Sequence, residues 1–334
     1  MQDNINKVIA NALVVKKDNL ANNIKKIIES INEVIKNSKD LIEQTCEVDI
    51  NNGNGTTIDM SIFDNIYKNV SKENDVYGEV TLSQKDDEKK IIYGKEIMDI
   101  GNVVVINDGN PYVIYEMALR NIMAGNTTIF SNEGYMYGTN MFIIQMIQSV
   151  LEQYNISKNL VQLYISNEFD DILSNFANID LVICIGDSYL QKKVIAKSKN
   201  KVVTSGYDNY EIYIENDKHV QFIEKIIKTG LNVQVYIQRS VNIDYDNAII
   251  VEDIDEAIGQ INYSGSRYSV AIFTEDKENA SRFIQEIKSK IVTVNTSPSI
   301  ERIIDIKQSE LINEKTIIYP FDYKINKSQN EIEI

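Results

Sequence analysis

The chain has 334 residues and a net charge of −15, from 49 acidic and 34 basic side chains; hydrophobic residues make up 43%. This apolar content excludes a disordered chain, and 14 glycines with 3 prolines exclude a collagen-like fibre. The acidic excess argues against a nucleic-acid-binding protein, which gains its affinity by placing Lys and Arg against phosphates.

The N-terminal part is predicted to be helical. Apolar residues recur at helical spacing from Ile5 to Leu41. The polar segment 16–18 interrupts this pattern, and Asp18 is predicted to cap the second helix. A loop rich in Asn and Gly follows at 51–55, and one more short helix is predicted over 59–70.

From residue 76 onward the pattern changes to strands. Two short strands, 79–82 and 89–94, are predicted around a charged hairpin tip. Further strands are predicted at 102–107, 127–130, 160–165, 180–186, 201–204, 211–214, 234–239, 247–251, 269–274 and 291–295. Helices are predicted between them at 112–123, 140–154, 170–177, 189–197, 219–228, 254–262 and 277–288. Such alternation predicts parallel sheets with helices on both faces. The tail after Pro298 is weakly patterned.

Several tracts resemble the aldehyde dehydrogenase superfamily. A strand over 101–106 leads to Asn110-Pro111 at the start of a helix, and Gly125-Asn126 precede the next strand. Further matching tracts are 76–80, 179–183, 213–215, 251–258, 261–266, 271–276 and 294–297. Their order runs collinearly from about residue 5 to 320. The branch that the chain resembles is gamma-glutamyl phosphate reductase, an NADPH-dependent enzyme that makes glutamate semialdehyde.

This resemblance implies an α/β fold with two three-layer α/β domains and mostly parallel sheets. It implies a nucleotide-binding-like domain at 1–207 and a catalytic-like domain at 208–298. The tail, 299–334, is expected to pack back on the first domain or on a partner subunit.

The resemblance also implies a site for NAD or NADP. The implied cofactor-binding residues are Asn110, Ser131, Glu133, Gly186 and Asp187. The family has a Lys or Arg close to the cofactor ribose or phosphate, and here that stretch reads Phe130-Ser131-Asn132-Glu133. Because the Glu133 carboxylate would repel a 2′-phosphate, loss of cofactor binding stays open as an alternative.

The family's nucleophilic cysteine is missing from its expected position. That slot falls on Leu231, with the neighbouring Asn232 retained, and no cysteine follows Cys184. Cys184 lies in an apolar strand and is predicted to be an inert, buried thiol. Acidic neighbours of Cys46 are predicted to raise its pKa. The chain is therefore predicted to be a catalytically impaired member of the superfamily.

Three functional interpretations follow. The first is a degenerate enzyme that keeps a binding or assembly role. The second is an active NAD(P)-dependent aldehyde or acyl-phosphate oxidoreductase with a relocated nucleophile or none. The third is an inactive subunit that associates with an active relative. For all three a homo-oligomer (dimer or tetramer) or association with a related active enzyme is expected.

The remaining sequence features support a cytoplasmic protein without metal or membrane binding. No apolar stretch approaches the roughly 20 residues that cross a bilayer, and the N-terminus does not resemble a secretory signal. One histidine and two distant cysteines cannot form a histidine-rich metal site. The single histidine, His219, is predicted to lie on a helix surface.

Overall fold

A computed structural model describes residues 2–74, 76–166, 169–205, 210–228, 233–241, 245, 247–265, 268–298, 304 and 306–320. Within this described part, no helix is long and apolar enough to cross a membrane.

Four helices form the N-terminal region. They are α1 (Gln2–Leu13), α2 (Ile24–Asn37), α3 (Lys39–Asn51) and α4 (Met60–Val70). The short helix predicted over 59–70 is confirmed as α4. The Asp59 side chain caps it by accepting a hydrogen bond from the Ser61 N–H (2.8 Å). The prediction that Asp18 caps the second helix is wrong, since α2 begins at Ile24 after a turn. Leu20 is fully buried within that turn. The apolar spacing in the sequence therefore extends through a segment that is not helical.

The first parallel sheet has five strands in the order β5-β4-β3-β6-β7. They are β3 (Asn102–Asn107), β4 (Thr127–Asn132), β5 (Val161–Ile165), β6 (Leu181–Ile185) and β7 (Val202–Ser205). The helices between them are α5 (Pro111–Met123), α6 (Tyr137–Gln153), α7 (Asp170–Leu173) and α8 (Ser188–Lys197). One face of the sheet packs on α2, α4, α5 and α6, and the other on α1, α7 and α8. Burial on both faces explains why its strands are almost wholly apolar.

The second parallel sheet has the order β10-β9-β8-β11-β12. Its strands are β8 (Tyr210–Ile214), β9 (Val233–Gln238), β10 (Ile249–Val251), β11 (Ser269–Phe273) and β12 (Ile291–Val294). Its helices are α9 (Val220–Lys228), α10 (Ile254–Ser264) and α11 (Lys277–Glu286). The two sheets thus share one strand order, with the first strand in the centre.

A third sheet is antiparallel, with the order β1-β2-β13. It joins β1 (Val80–Asp86) and β2 (Ile91–Asp99) to β13 (Ile312–Pro320). The sequence predicts no strand in the tail after Pro298, and β13 corrects this prediction. Most of its side chains are exposed, so no alternation of apolar and polar residues shows it in the sequence.

The tail also contributes to the core beneath the first sheet. Ile304, Ile306 and Leu311 are fully buried there, in one cluster with residues of α5 and β3. Asn126 fastens this segment, because its Nδ2 donates to the Leu311 carbonyl (2.8 Å) while its Oδ1 accepts from the Ile100 N–H (2.8 Å). The α/β fold with mostly parallel sheets is confirmed, whereas the domain limits remain a prediction.

Candidate active site

The strand order of the first sheet defines a crevice at the carboxyl ends of its strands. The chain starts at β3, moves outward to β4 and β5, and then returns to β6 and β7 on the other side. In open parallel sheets, ligands bind beyond the carboxyl ends of the strands, where the strand order reverses. That point lies between β3 and β6, so the turns after these two strands form the candidate site.

The turn after β3 is fixed by side chains. The Asn107 Oδ1 accepts from the Gly109 N–H (2.7 Å), and the Asp108 Oδ1 accepts from the Asn110 N–H (3.1 Å). The Asn110 Oδ1 then accepts from the Tyr112 N–H (2.9 Å) and caps α5, whose first residue is a proline. The amino end of α5 therefore lies at the crevice.

Across the crevice, the turn after β6 starts a second helix. Gly186 is buried, and a Cβ there would lie 2.6 Å from the Leu190 Cδ2. The Asp187 Oδ1 accepts from the Leu190 N–H (2.7 Å) and caps α8. Since α5 and α8 pack on opposite faces of the sheet, two positive helix ends lie on either side of the switch point, which favours an anionic ligand.

The end of β4 carries the other two predicted cofactor residues. Ser131 is fully buried and lies beside Tyr164 of β5 in the strand register. Within the described chain, neither the Ser131 Oγ nor the Tyr164 hydroxyl has a hydrogen-bond partner. Glu133 lies two residues further on, exposed, in the turn that follows the strand. Ser131 and Glu133 thus occupy different environments, one inside the sheet and one in solvent.

All five residues predicted for the cofactor lie at the carboxyl edge of the first sheet. Asn110 follows β3, Ser131 and Glu133 end and follow β4, and Gly186 and Asp187 follow β6. Sequence reasoning missed the buried amides of Asn107 and Asn132 at the same edge. The repeated Asn-x-Gly pattern at 107–109 and 132–134 was the available signal.

The nucleophile slot, Leu231 and Asn232, lies outside the described residues. It falls between the end of α9 and the first residue of β9.

Both cysteines are buried, and both thiols have raised pKa values. Cys184 is fully buried in β6, and burial, with a further contribution from the Asp187 charge, raises the pKa of its thiol from 9.0 to about 12. Cys46 is 3% exposed in α3, and its Sγ donates to the Thr56 carbonyl (3.1 Å). Burial is the largest cause of the raised pKa of Cys46, followed by the Asp49 charge. A nucleophilic cysteine needs the opposite shift.

The switch point of the second sheet is closed by its own polar groups. The Glu215 carboxylate accepts from the Thr274 hydroxyl and from the Asn279 Nδ2. The Asn295 side chain accepts from the Thr274 N–H and donates to the Thr274 carbonyl (both 2.9 Å). These groups satisfy one another, so the first sheet offers the better ligand site.

The single histidine lies in a surface ion-pair group near the second sheet. His219 precedes α9, and its Nε2 lies 3.1 Å from the Glu275 Oε1. Hydrogen bonds from Lys218 and His219 lower the pKa of the Glu275 carboxyl. Among the residues described, no group of three or more His, Cys, Asp or Glu side chains could hold a metal ion.

Superposition on solved structures identifies the fold. The chain superposes on an acetylating aldehyde dehydrogenase from Geobacillus thermoglucosidasius with a TM-score of 0.73 at 12% identity, covering 99% of this chain and 98% of the other. The fold is that of the aldehyde dehydrogenases. A glyceraldehyde-3-phosphate dehydrogenase from Methanocaldococcus jannaschii, solved with NADP, gives a TM-score of 0.71 at 15% identity, covering 96% and 94%. Gamma-glutamyl phosphate reductase from Thermotoga maritima gives 0.63 at 18% identity, covering 97% and 99%.

Sequence relatives narrow the resemblance within this aldehyde dehydrogenase fold. The chain is 24% identical to gamma-glutamyl phosphate reductase of Dictyoglomus thermophilum, over 83% of this chain and 81% of the relative. It is 22% identical to the reductase of Oceanobacillus iheyensis, over 81% of each. No protein-family model matches the chain. The chain thus has the fold of the aldehyde dehydrogenases and resembles gamma-glutamyl phosphate reductase in sequence.

Proposed function

We propose that this protein binds a nicotinamide dinucleotide in the crevice between β3 and β6 and lacks the covalent thiol chemistry of its relatives. The observation that carries the proposal is the state of its two cysteines. Both are buried, and both have raised pKa values. The position that resembles the family's nucleophile is a leucine, whose side chain cannot form a thioester-level intermediate.

The crevice itself supports retained dinucleotide binding. It has a topological switch point, two capped helices that begin beside it and a glycine after β6. If NAD or NADP binds there, the cofactor would supply hydride transfer chemistry. Asn110 and Asp187, which cap the two helices, and Ser131 at the end of β4 would help to hold it. The exposed Glu133 carboxylate favours NAD over NADP because it would repel a 2′-phosphate.

An active oxidoreductase with a relocated nucleophile is the second candidate. Its supporting observation is that Cys184 lies two residues before the Gly186 turn, close to the crevice along the chain. However, the Cys184 side chain packs with Ile106, Ile129 and Val194 inside the sheet-helix core. An attack from this position would require the strand to open, so the binding role is preferred.

Assembly with a second subunit is part of the proposal. The sheet β1-β2-β13 leaves the outer sides of β1 and β13 without a strand partner in the described chain. Unpaired strand edges bind other strands readily. We expect a dimer or tetramer, or a complex with an active relative. A molar mass by light scattering that stays at one chain, alone and with a related reductase, would contradict this.

Dinucleotide binding is tested by titration of the purified protein with NAD, NADH, NADP and NADPH. Specific binding raises stability by mass action, by about 2.7 kcal/mol at a hundredfold excess over Kd. The variant Gly186→Ala places a methyl group 2.6 Å from the Leu190 Cδ2, so the turn after β6 and the first turn of α8 must shift relative to each other. We expect it to weaken binding at least tenfold. Gly259→Ala is the control, because nothing lies within 4 Å of a Cβ there. No binding by wild-type protein would overturn the proposal.

A further inference from the structure

Two similar turns follow neighbouring strands of the first sheet. After β3, the Asn107 Oδ1 accepts from the Gly109 N–H (2.7 Å); after β4, the Asn132 Oδ1 accepts from the Gly134 N–H (2.9 Å). Both glycines have positive φ, 95° and 92°, as this tight turn requires. Each asparagine thus uses its carbonyl oxygen to shape its own turn and keeps its Nδ2 for another partner.

The two asparagines lie side by side. Ile106 pairs with Ser131 in the register of β3 and β4, so the next positions are Asn107 and Asn132. By strand alternation they share a face with Val105 and Phe130, which pack on the α5 and α6 side. Neighbouring strands are about 4.8 Å apart. Both side chains are buried, at 1% and 0% exposure.

A third amide lies beside these turns, at the start of α6. The Asn140 Nδ2 donates to the Gly109 carbonyl (2.6 Å) and to the Tyr135 carbonyl (3.0 Å), one from each of the two loops. These two bonds fix the orientation of the amide, so its Oδ1 is an acceptor that faces away from them. Asn140 is fully buried as well.

Three buried polar atoms at this place have no hydrogen-bond partner in the described chain. They are the Nδ2 of Asn107, the Nδ2 of Asn132 and the Oδ1 of Asn140. Buried polar groups without partners are rare and costly, and ordered water usually satisfies them. The set comprises two donors and one acceptor. A ligand that satisfies all three must therefore accept two hydrogen bonds and donate one.

We propose that Asn107, Asn132 and Asn140 form a binding site for one internal water molecule. Its oxygen accepts hydrogen bonds from the two Nδ2 groups, and one of its hydrogens is donated to the Asn140 Oδ1. Three hydrogen bonds are what a buried water typically makes. A chloride ion could not donate to the Asn140 Oδ1, and an ammonium ion could not accept from two amides.

This water would join three segments at the carboxyl ends of the strands, and one of them, the turn after β3, lines the crevice. It would link the turn after β3, the turn after β4 and the first turn of α6. Asn110, which caps α5 at the crevice, follows the first of these turns directly. The site therefore supports the floor of the crevice, whether or not a dinucleotide binds there.

The experiment is a crystal structure of the full chain at better than about 2 Å resolution, with a second crystal soaked in sodium bromide. The expected result is one peak within hydrogen-bond distance of all three atoms and no anomalous bromide signal at it. A bromide signal would show an anion site and would overturn the proposal. So would direct hydrogen bonds among the three side chains with no peak between them.

Two variants on one strand separate this site from a general effect of removing polar groups. Asn132→Leu removes one donor, and the peak should disappear. Thr128→Val is the matched control, because Thr128 lies on the same face of β4 and its buried hydroxyl also has no partner in the described chain. Its crystal should keep the peak. A peak that persists unchanged in Asn132→Leu would overturn the three-amide site; if that variant does not fold, the wild-type and Thr128→Val crystals decide.

Discussion

At the residue scale, the surroundings of the two cysteines determine how reactive their thiols are. Cysteine reactivity follows the thiolate fraction, and both environments suppress the thiolate. The sequence predicted this well, because an apolar strand around Cys184 and acidic neighbours of Cys46 are both local signals. For Cys46 the structure adds burial, which is the largest cause of the raised pKa and exceeds the effect of the acidic charges.

Both cysteines are therefore expected to resist a thiol reagent in the native protein. At pH 8 we expect labelling by a disulfide reagent to proceed at least a hundredfold more slowly than in guanidinium-unfolded protein. The unfolded sample is the control and should label at both positions. Rapid labelling of native protein, abolished by Cys46→Ser or Cys184→Ser, would contradict the burial of that thiol.

The raised pKa of Cys184 also predicts a pH dependence of stability. The folded state holds the proton more tightly than the unfolded state, whose thiol has a pKa near 9.0. The resulting stabilisation is fully present below pH 9 and is lost as the pH rises towards 12. Urea unfolding of wild-type and Cys184→Ala protein between pH 7 and pH 10.5 should show a steeper decline above pH 9 for wild-type. Parallel curves would contradict the prediction.

Arg120 provides a third test at this scale. It is buried, and its Nε donates to the Glu116 carboxylate (2.8 Å) while an Nη lies 3.2 Å from the Glu73 carboxylate. Arg120→Ala would remove the cation that neutralises Glu116 in the interior, at a cost of about 3–5 kcal/mol of unfolding free energy. The matched control is the exposed Arg282, which pairs with Asp255 and Glu286. Equal effects of the two substitutions in chemical denaturation would contradict the role of burial.

At the element scale, buried strands and capped helices were predictable and the exposed strand was not. The strands of the first sheet are continuous apolar runs, and Asn110-Pro111 and Asp59 mark the starts of α5 and α4. By contrast, β13 is specified by nine residue pairs with β2, a long-range interaction that no local pattern reports. The turn at residues 18–23 was missed because Leu20 is buried without being helical.

The tail segment before β13 is expected to be essential for stability. Leu311 is fully buried against the core of the first sheet, so Leu311→Ala should lower the free energy of unfolding by about 2–5 kcal/mol. Ile318→Ala, on β13 itself, is the control because its side chain is 56% exposed. Similar denaturation midpoints for both variants would show that the tail is only loosely attached.

At the scale of the whole molecule, the strand order of the parallel sheets determines where a ligand can bind. Two parallel sheets share one topology, yet only the first leaves buried polar groups without partners at its switch point, within the described residues. The sequence placed all five candidate cofactor residues at that edge through its family resemblance. It could not show the paired amides of Asn107 and Asn132, because their proximity depends on the register between β3 and β4.

The most direct test of the account is a turnover measurement on protein shown to bind dinucleotide. The purified chain would be assayed with NADH, NADPH and their oxidised forms, against short aldehydes and glutamyl phosphate. We expect dinucleotide binding with turnover more than a hundredfold below the usual enzyme rate of about 10 per second. Turnover within a hundredfold of that rate, lost in Cys184→Ser or Cys46→Ser, would contradict it.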